Sequence, residues 1–182
     1  MLYEYVFDNL KLCILLEDSA EQILKFYSDN KTYFEPYEID KPDDFYTTKF
    51  QQRLITAEHN GFLQGNYVRF FMFDETFPDV IIGSVSFSNI KRGAFYSCQI
   101  GYKIDNAYQN QGYGYKMLEE SIKIIINEYN IHRIEAFISL DNHASVALAK
   151  KLGFHNEGIA CSYVKIKDKW VDHFQYAYIA DN

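Results

Sequence analysis

The sequence predicts an α+β fold: a mixed, mostly antiparallel sheet of about seven strands with one parallel crossover pair, flanked by about four helices. Three observations lead there. Runs that alternate apolar and polar residues fill the middle and the end of the chain. Between two of them, a glycine loop opens one long helical stripe. The 182 residues, 48% hydrophobic, can build one proper core, and nothing divides them into two halves.

Residues 1–182 therefore read as a single domain. The three prolines stand at Pro36, Pro42 and Pro78, with no Ser/Gly-rich linker, internal repeat or low-complexity tract. A first strand is expected over 10–16. Ser19 then caps a helix whose apolar face is Ala20, Ile23, Leu24 and Tyr27. Residues 29–44 form a loop by their Pro, Asp and Asn content. A second helix starts at Pro42-Asp43-Asp44, presents Tyr46, Phe50, Leu54 and Ala57 on one side, and ends at Asn60-Gly61. The period then changes to that of strands, at 67–73, 80–90 and 95–104, joined by turns at 74–79 and at Arg92-Gly93. These three form an antiparallel meander.

Next comes strand, glycine loop, helix, strand. Leu118, Ile122, Ile125 and Tyr129 mark the helical stripe, and 132–140 alternates again. Such a unit requires a right-handed crossover and a parallel strand pair. A short helix over 144–152 is closed by Gly153, and two last strands, about 159–166 and 171–179, flank the turn Lys167-Asp168-Lys169.

The bulk chemistry narrows the function. A formal charge of −7 and a pI near 5.2 argue against a nucleic-acid binder and mildly favour a cationic or amine substrate. Cys13, Cys98 and Cys161 are scattered and odd in number, as expected for reduced thiols in a cytoplasmic protein. The first residues do not form a signal peptide, and no apolar run reaches membrane-spanning length. The five histidines lack metal-ligand spacing.

The stretch 106–118, NAYQNQGYGYKML, is the most unusual. Gly112 and Gly114 directly before a helix put bare backbone amides at the positive end of its dipole, where an anion can approach. Tyr115-Lys116-Met117 rules out a phosphate loop of the GxxxxGK[ST] kind, and the third glycine of a dinucleotide fingerprint is missing. By itself this loop is either an anion holder or a plain turn. However, Gln109-x-x-Gly112-x-Gly114 matches the Q/R-x-x-G-x-G/A signature of the GCN5-related N-acetyltransferases, at the position between meander and helix that this family uses. The chain resembles that family over essentially its full length. Residues 131–173 are similar to the RimJ/RimL-type branch, the ribosomal-protein N-terminal acetyltransferases. The likeness rests on Ile131-His132-Arg133-Ile134, Asn142-x-x-Ser145, Leu152-Gly153-Phe154, Glu157-Gly158, Trp170 and Asp172-His173. Residues 33–38 look like that branch's substrate-side loop, with Tyr37 where a tryptophan is common.

The resemblance implies a fold whose parallel pair splays around acetyl-coenzyme A. The pyrophosphate would lie on the amides of Gln109, Asn110, Gln111, Gly112, Tyr113, Gly114 and Tyr115. The pantetheine would run alongside Tyr102, Lys103 and Ile104 like an added strand. Asn142 and Ser145 would face the arm near its thiol. Lys151 is either a phosphate contact or part of a solvated helix face. The reaction implied is direct acetyl transfer in a ternary complex, to the N-terminal amine of a protein such as a ribosomal protein. Nucleic-acid and membrane partners are not expected, and a homodimer is left open.

Acetyl transfer needs a neutral amine, a held oxyanion and a protonated leaving thiolate. Backbone amides near Tyr102–Ile104 can hold the oxyanion, so no metal is demanded. Neutralising an N-terminal amine at pH 7 costs about 1 kcal/mol, against roughly 4.6 kcal/mol for a lysine. A weak base or a water relay is then enough for the first but not for the second. The family's tyrosine acid, four residues before the Gly-Phe pair, is replaced by Ala149. A glutamate common on the central strand aligns with Gln99, which cannot act as a base. Ser145 is thereby put forward as proton donor to the thiolate, and Glu35 and Tyr163 as candidates for base through water. Asn142 can equally be a helix cap, and Trp170 with Asp172-His173 hairpin packing. A small amine (polyamine, amino-sugar antibiotic or amino acid) is the alternative acceptor, and a non-catalytic coenzyme A sensor the alternative class.

Overall fold

A computed structural model describes residues 2–180. Its centre is one eight-stranded sheet in the order β1-β2-β3-β4-β5-β6-β8-β7. The strands are β1 (Glu4–Phe7), β2 (Leu10–Cys13), β3 (Val68–Asp74), β4 (Gly83–Lys91), β5 (Ser97–Ile104), β6 (Arg133–Ser139), β7 (His155–Ile166) and β8 (Lys169–Ile179). The strand added to the expected set is β1, a four-residue arm folded back on β2 and exposed at every second position. Lys167 and Asp168 have φ of 46° and 65°, the two left-handed residues that close a tight hairpin between β7 and β8.

Every neighbouring pair is antiparallel except β5–β6, and that exception shapes the molecule. The two run in register only at Ser97–Arg133, Cys98–Ile134 and Gln99–Glu135. Beyond Gln99, β5 stays paired with β4 as far as Ile104, and β6 stays paired with β8 as far as Ser139. The sheet therefore opens into a fork. The amide of Asp105 donates to Ile82 O at 2.8 Å, so odd-numbered residues here turn their backbone groups toward β4. Tyr96 O receives the amides of His132 and Arg133 on the opposite side. Backbone groups alternate along a strand, so those of Tyr102 and Ile104 face the open fork.

The helices are α1 (Ala20–Asp29), α2 (Lys31–Phe34), α3 (Thr48–Leu63), α4 (Tyr113–Tyr129) and α5 (His143–Lys151). One sheet face is covered by α4 and α5. Met117, Leu118, Ile122 and Ile125 of α4 are buried against Val85, Phe87, Ile134 and Ala136. Each such side chain contributes about 1.5–3 kcal/mol by burial. On the other face, α1 and α3 pack Ile23, Phe26, Tyr27 and Ile55 on Phe71 and Phe73. No helix among the described residues is long and apolar enough to cross a membrane.

Two helix boundaries differ from expectation for local reasons. Residues 43–46 are a turn, and α3 begins only after Thr47, whose hydroxyl receives the Phe50 amide. It passes through Gly61, where a Cβ would meet Tyr67 Cβ at 2.8 Å, and ends before Gly65 at φ 71°. Gly61 thus serves close packing and does not stop the helix.

The 35–47 segment is tied to β5 by charge. Glu38 pairs with Lys103 across the segment and with Lys41 at 2.9 Å. Burial pushes the Glu38 carboxyl up, but the two ammonium groups outweigh it and hold it below the ordinary 4.5. A carboxyl depressed on folding contributes stability that is present above about 4.5 and lost as pH falls through its folded value. Glu38→Gln should therefore lower the urea midpoint at pH 7, and flatten the loss of stability seen between neutral pH and acid below 4.5. An unchanged acid limb in denaturation curves would refute this ion pair's role.

Candidate active site

The glycine loop follows β5 at the open end of the fork. Gly112 takes φ 86° as the residue before α4, which only glycine adopts without strain, and a Cβ there would meet nothing within 4 Å. The loop's outer side is thus bare backbone. Gly114 is different: its Cβ would touch Leu148 and Ile104 at 3.3 and 3.4 Å, so it lets α4 approach the fork closely. The amides of Tyr113, Gly114 and Tyr115 open the helix and have no partner within it. Gln109, Asn110 and Gln111 are exposed, with Asn110 left-handed at φ 59°.

The loop's shape is held from outside. Buried Asn30, at the end of α1, donates to Asp105 Oδ2 (2.8 Å) and accepts the Asn106 amide (2.8 Å). Asp105 Oδ1 caps the following turn through the Ala107 amide. Tyr113 donates its hydroxyl to Asp74, which also holds Asn9 and the Thr76 amide. Those hydrogen bonds keep the Asp74 carboxyl low. The Tyr113 side chain is in this way an anchor for the helix start. Asn30, Asp105 and Asp74 were not expected from sequence, since each works through a partner distant in the chain.

On the same face of the fork, the Asn142 Oδ1 receives the Ser145 amide at 3.1 Å and so caps α5. The Tyr102 hydroxyl donates to Ser145 O at 3.2 Å, which ties β5 to the start of α5. Tyr102, Ile104, Asn142 and Ser145 therefore stand together at the opening, with half-buried Ser145 in the first turn. Lys151 lies further along α5 with Nζ 4.6 Å from the centroid of the Tyr115 ring, on the side of the glycine loop. Lys103 points to the opposite sheet face, toward Glu38.

That opposite face holds the remaining candidates, and they do not meet. Glu35 accepts from the Tyr46 hydroxyl (3.0 Å) and lies 3.8 Å from Lys31, and neither contact belongs to the fork. The acid that reaches β5 is Glu38. Tyr163 stacks on Phe137 of β6, with centroids 4.2 Å apart and planes at 7°. Burial pushes its phenol up, and the polar Gln99 side chain partly offsets this. A raised phenol stays protonated, so Tyr163 is a proton or hydrogen-bond donor and a poor base. Gln99 Oε1 in turn accepts from Asn89 at 2.6 Å. The hairpin tip closes this side, with the Lys167 amide on Asp40 Oδ1 at 3.3 Å. Among the described residues no three acidic, His or Cys side chains gather as a metal site.

Comparison with known proteins fits this geometry. Residues 10–155 match the acetyltransferase (GNAT) domain family. A probable N-acetyltransferase, YjcK, of Bacillus subtilis is 34% identical over 85% of this chain and 84% of its own. The [ribosomal protein uS5]-alanine N-acetyltransferase of Escherichia coli is 33% identical over 91% of this chain and 85% of its own. The crystal structure of the ribosomal-protein-S5-alanine acetyltransferase from Vibrio fischeri superposes with a TM-score of 0.92. It is 26% identical and covers 98% of this chain and 97% of its own. A RimL ribosomal L7/L12 acetyltransferase in complex with coenzyme A shares the fold at 21% identity, with a TM-score of 0.88 and 97% coverage of both chains. A forked sheet with a glycine loop at its open end, a family match over most of the length and relatives above 30% identity lead to one conclusion: the chain is an acetyltransferase of the GNAT family.

Proposed function

We propose that residues 1–182 act as one cytoplasmic domain that transfers acetyl from acetyl-coenzyme A to the N-terminal α-amino group of a protein, a ribosomal protein being the best-supported class. The observation that carries this reading is the two-sided fork, open to a thioester from the α4–α5 face and to an amine from the other. The residues present fit coenzyme A. The bare backbone around Gly112 suits a pyrophosphate, and the unpaired backbone groups of Tyr102 and Ile104 suit an amide-bearing arm added like a strand. Bound there, the thioester supplies an acetyl group activated for attack by nitrogen.

Within this reading each residue has a task. One backbone amide of the Tyr102–Ile104 stretch donates to the oxygen that gains charge during attack, and the remaining backbone groups stay with the arm. Ser145 gives its hydroxyl proton to the departing sulfur and is reprotonated from the amine through water. Tyr163 orients the amine from the acceptor side. An α-amine loses its proton near neutral pH at a cost of about 1 kcal/mol, so the absence of a strong base in the fork is no obstacle. The names of the relatives support a ribosomal protein as acceptor.

Acceptors can be ranked directly by thiol release and mass spectrometry. Peptides with free N-termini are expected to be acetylated on the α-amine, whereas N-formylated versions and internal lysines are not. Preferential acetylation of polyamines, amino sugars or free amino acids would overturn the protein-acceptor reading, and coenzyme A binding with no acceptor would overturn the enzyme reading. Ser145→Ala should lower kcat by about 100-fold with little change in the KM of acetyl-coenzyme A. Gly112→Glu should abolish coenzyme A binding by calorimetry while the circular dichroism spectrum is kept, because that position is exposed with no neighbour to displace and the left-handed backbone costs only about 1–2 kcal/mol. Binding retained in that variant would remove the loop from the site.

A further inference from the structure

Tyr163 is carried by an edge strand, yet it reaches over β8 to stack on β6. A regular strand would not place it so. The pairing of β7 with β8 breaks between Ala160 and Val164: Ala160 faces His173 and Val164 faces Val171. Cys161, Ser162 and Tyr163 are left opposite Asp172 alone. Ser162 sits at φ 49°, a left-handed conformation that strains a non-glycine residue. Its amide, turned out of the ladder, donates to Asp172 Oδ1 at 2.7 Å. Beneath the bulge, the His173 ring lies 5.5 Å from that of Tyr163, and His173 is buried.

Gln99 is the last β5 residue paired with β6, and its Oε1 accepts from Asn89.

We infer that Asp172 is a positioning residue for acetyl transfer: by capping the bulged backbone at Ser162 it holds Tyr163 stacked on Phe137, beside the fork. This rests on the acetyl-transfer reading above. Asp172 touches neither substrate and acts only through the backbone of β7.

The test is a mutant cycle with whichever acceptor the wild-type protein acetylates best. Asp172→Ala is expected to lower kcat/KM for the acceptor about tenfold. The affinity for coenzyme A should stay unchanged, and Asp172→Asn, which keeps the Oδ1 acceptor, should restore most of the loss. Tyr163→Phe combined with Asp172→Ala should be no worse than Tyr163→Phe alone. Additive losses, or an equal loss of coenzyme A affinity, would overturn the inference. Proton NMR gives a readout free of any acceptor: the ring-current shifts of Phe137 should collapse in Asp172→Ala and persist in Asp172→Asn. A stack that persists in Asp172→Ala would overturn the inference even if no acceptor is found, whereas failure of the acceptor panel with an intact wild-type stack would count against the acetyl-transfer reading alone.

Discussion

Everything in this molecule depends on the divergence of β5 and β6 after three registered pairs. Backbone polar groups inside a sheet are normally satisfied by the neighbouring strand, and leaving them unpaired away from water costs free energy. A fork can persist only where each arm is held from its outer side. Here β4 holds one arm out to Ile104 and β8 holds the other out to Ser139. Two helices on one face and two on the other then fix the opening angle by packing. The opening is therefore a stable feature of the fold, and a ligand that supplies amides can complete the ladder without rearranging it.

A second consequence is that the two faces are mechanically joined. Asn30 belongs to the helical layer opposite α4 and α5, yet it bonds Asp105 and the Asn106 amide at the root of the glycine loop. Lys103 belongs to the forked strand and pairs with Glu38 of the 35–47 segment. The Lys41, Glu38 and Lys103 charges are close enough to need one another, since a partly buried carboxylate without its cations would carry a desolvation cost of several kcal/mol. The 35–47 segment is short of regular structure but is not free to wander.

Much of the architecture was legible in the sequence, because its signals are local. Alternation over 80–90 and 95–104, the stripe from Leu118 to Tyr129 and the glycines before it involve only neighbours in the chain. The crossover that makes β5 and β6 parallel follows from the order of those elements. The site was legible only in part. Gly112, Asn142 and Ser145 belong to short motifs, whereas Asn30 and Asp105 meet across 75 residues and neither lies in a motif. Glu35 and Glu38 sit on one loop with similar surroundings in sequence, and only the folded chain shows which one reaches β5. The bulge at 160–164 could not be read because Ser162 adopts its left-handed backbone without the glycine or asparagine that usually announces one.

The same bulge bears on the protein's life among its own copies. Strand β7 is long, lies at the end of the sheet and exposes Ile159 and Tyr163, with Trp170 exposed on its partner strand β8. A flat strand of that kind offers a row of amides to any other open edge, and chains joined that way grow without limit. Two surplus residues twist the row and turn the Ser162 amide inward to Asp172, so its outer edge is interrupted near the middle. A distortion beside the fork thus also interrupts the edge along which sheets would polymerise.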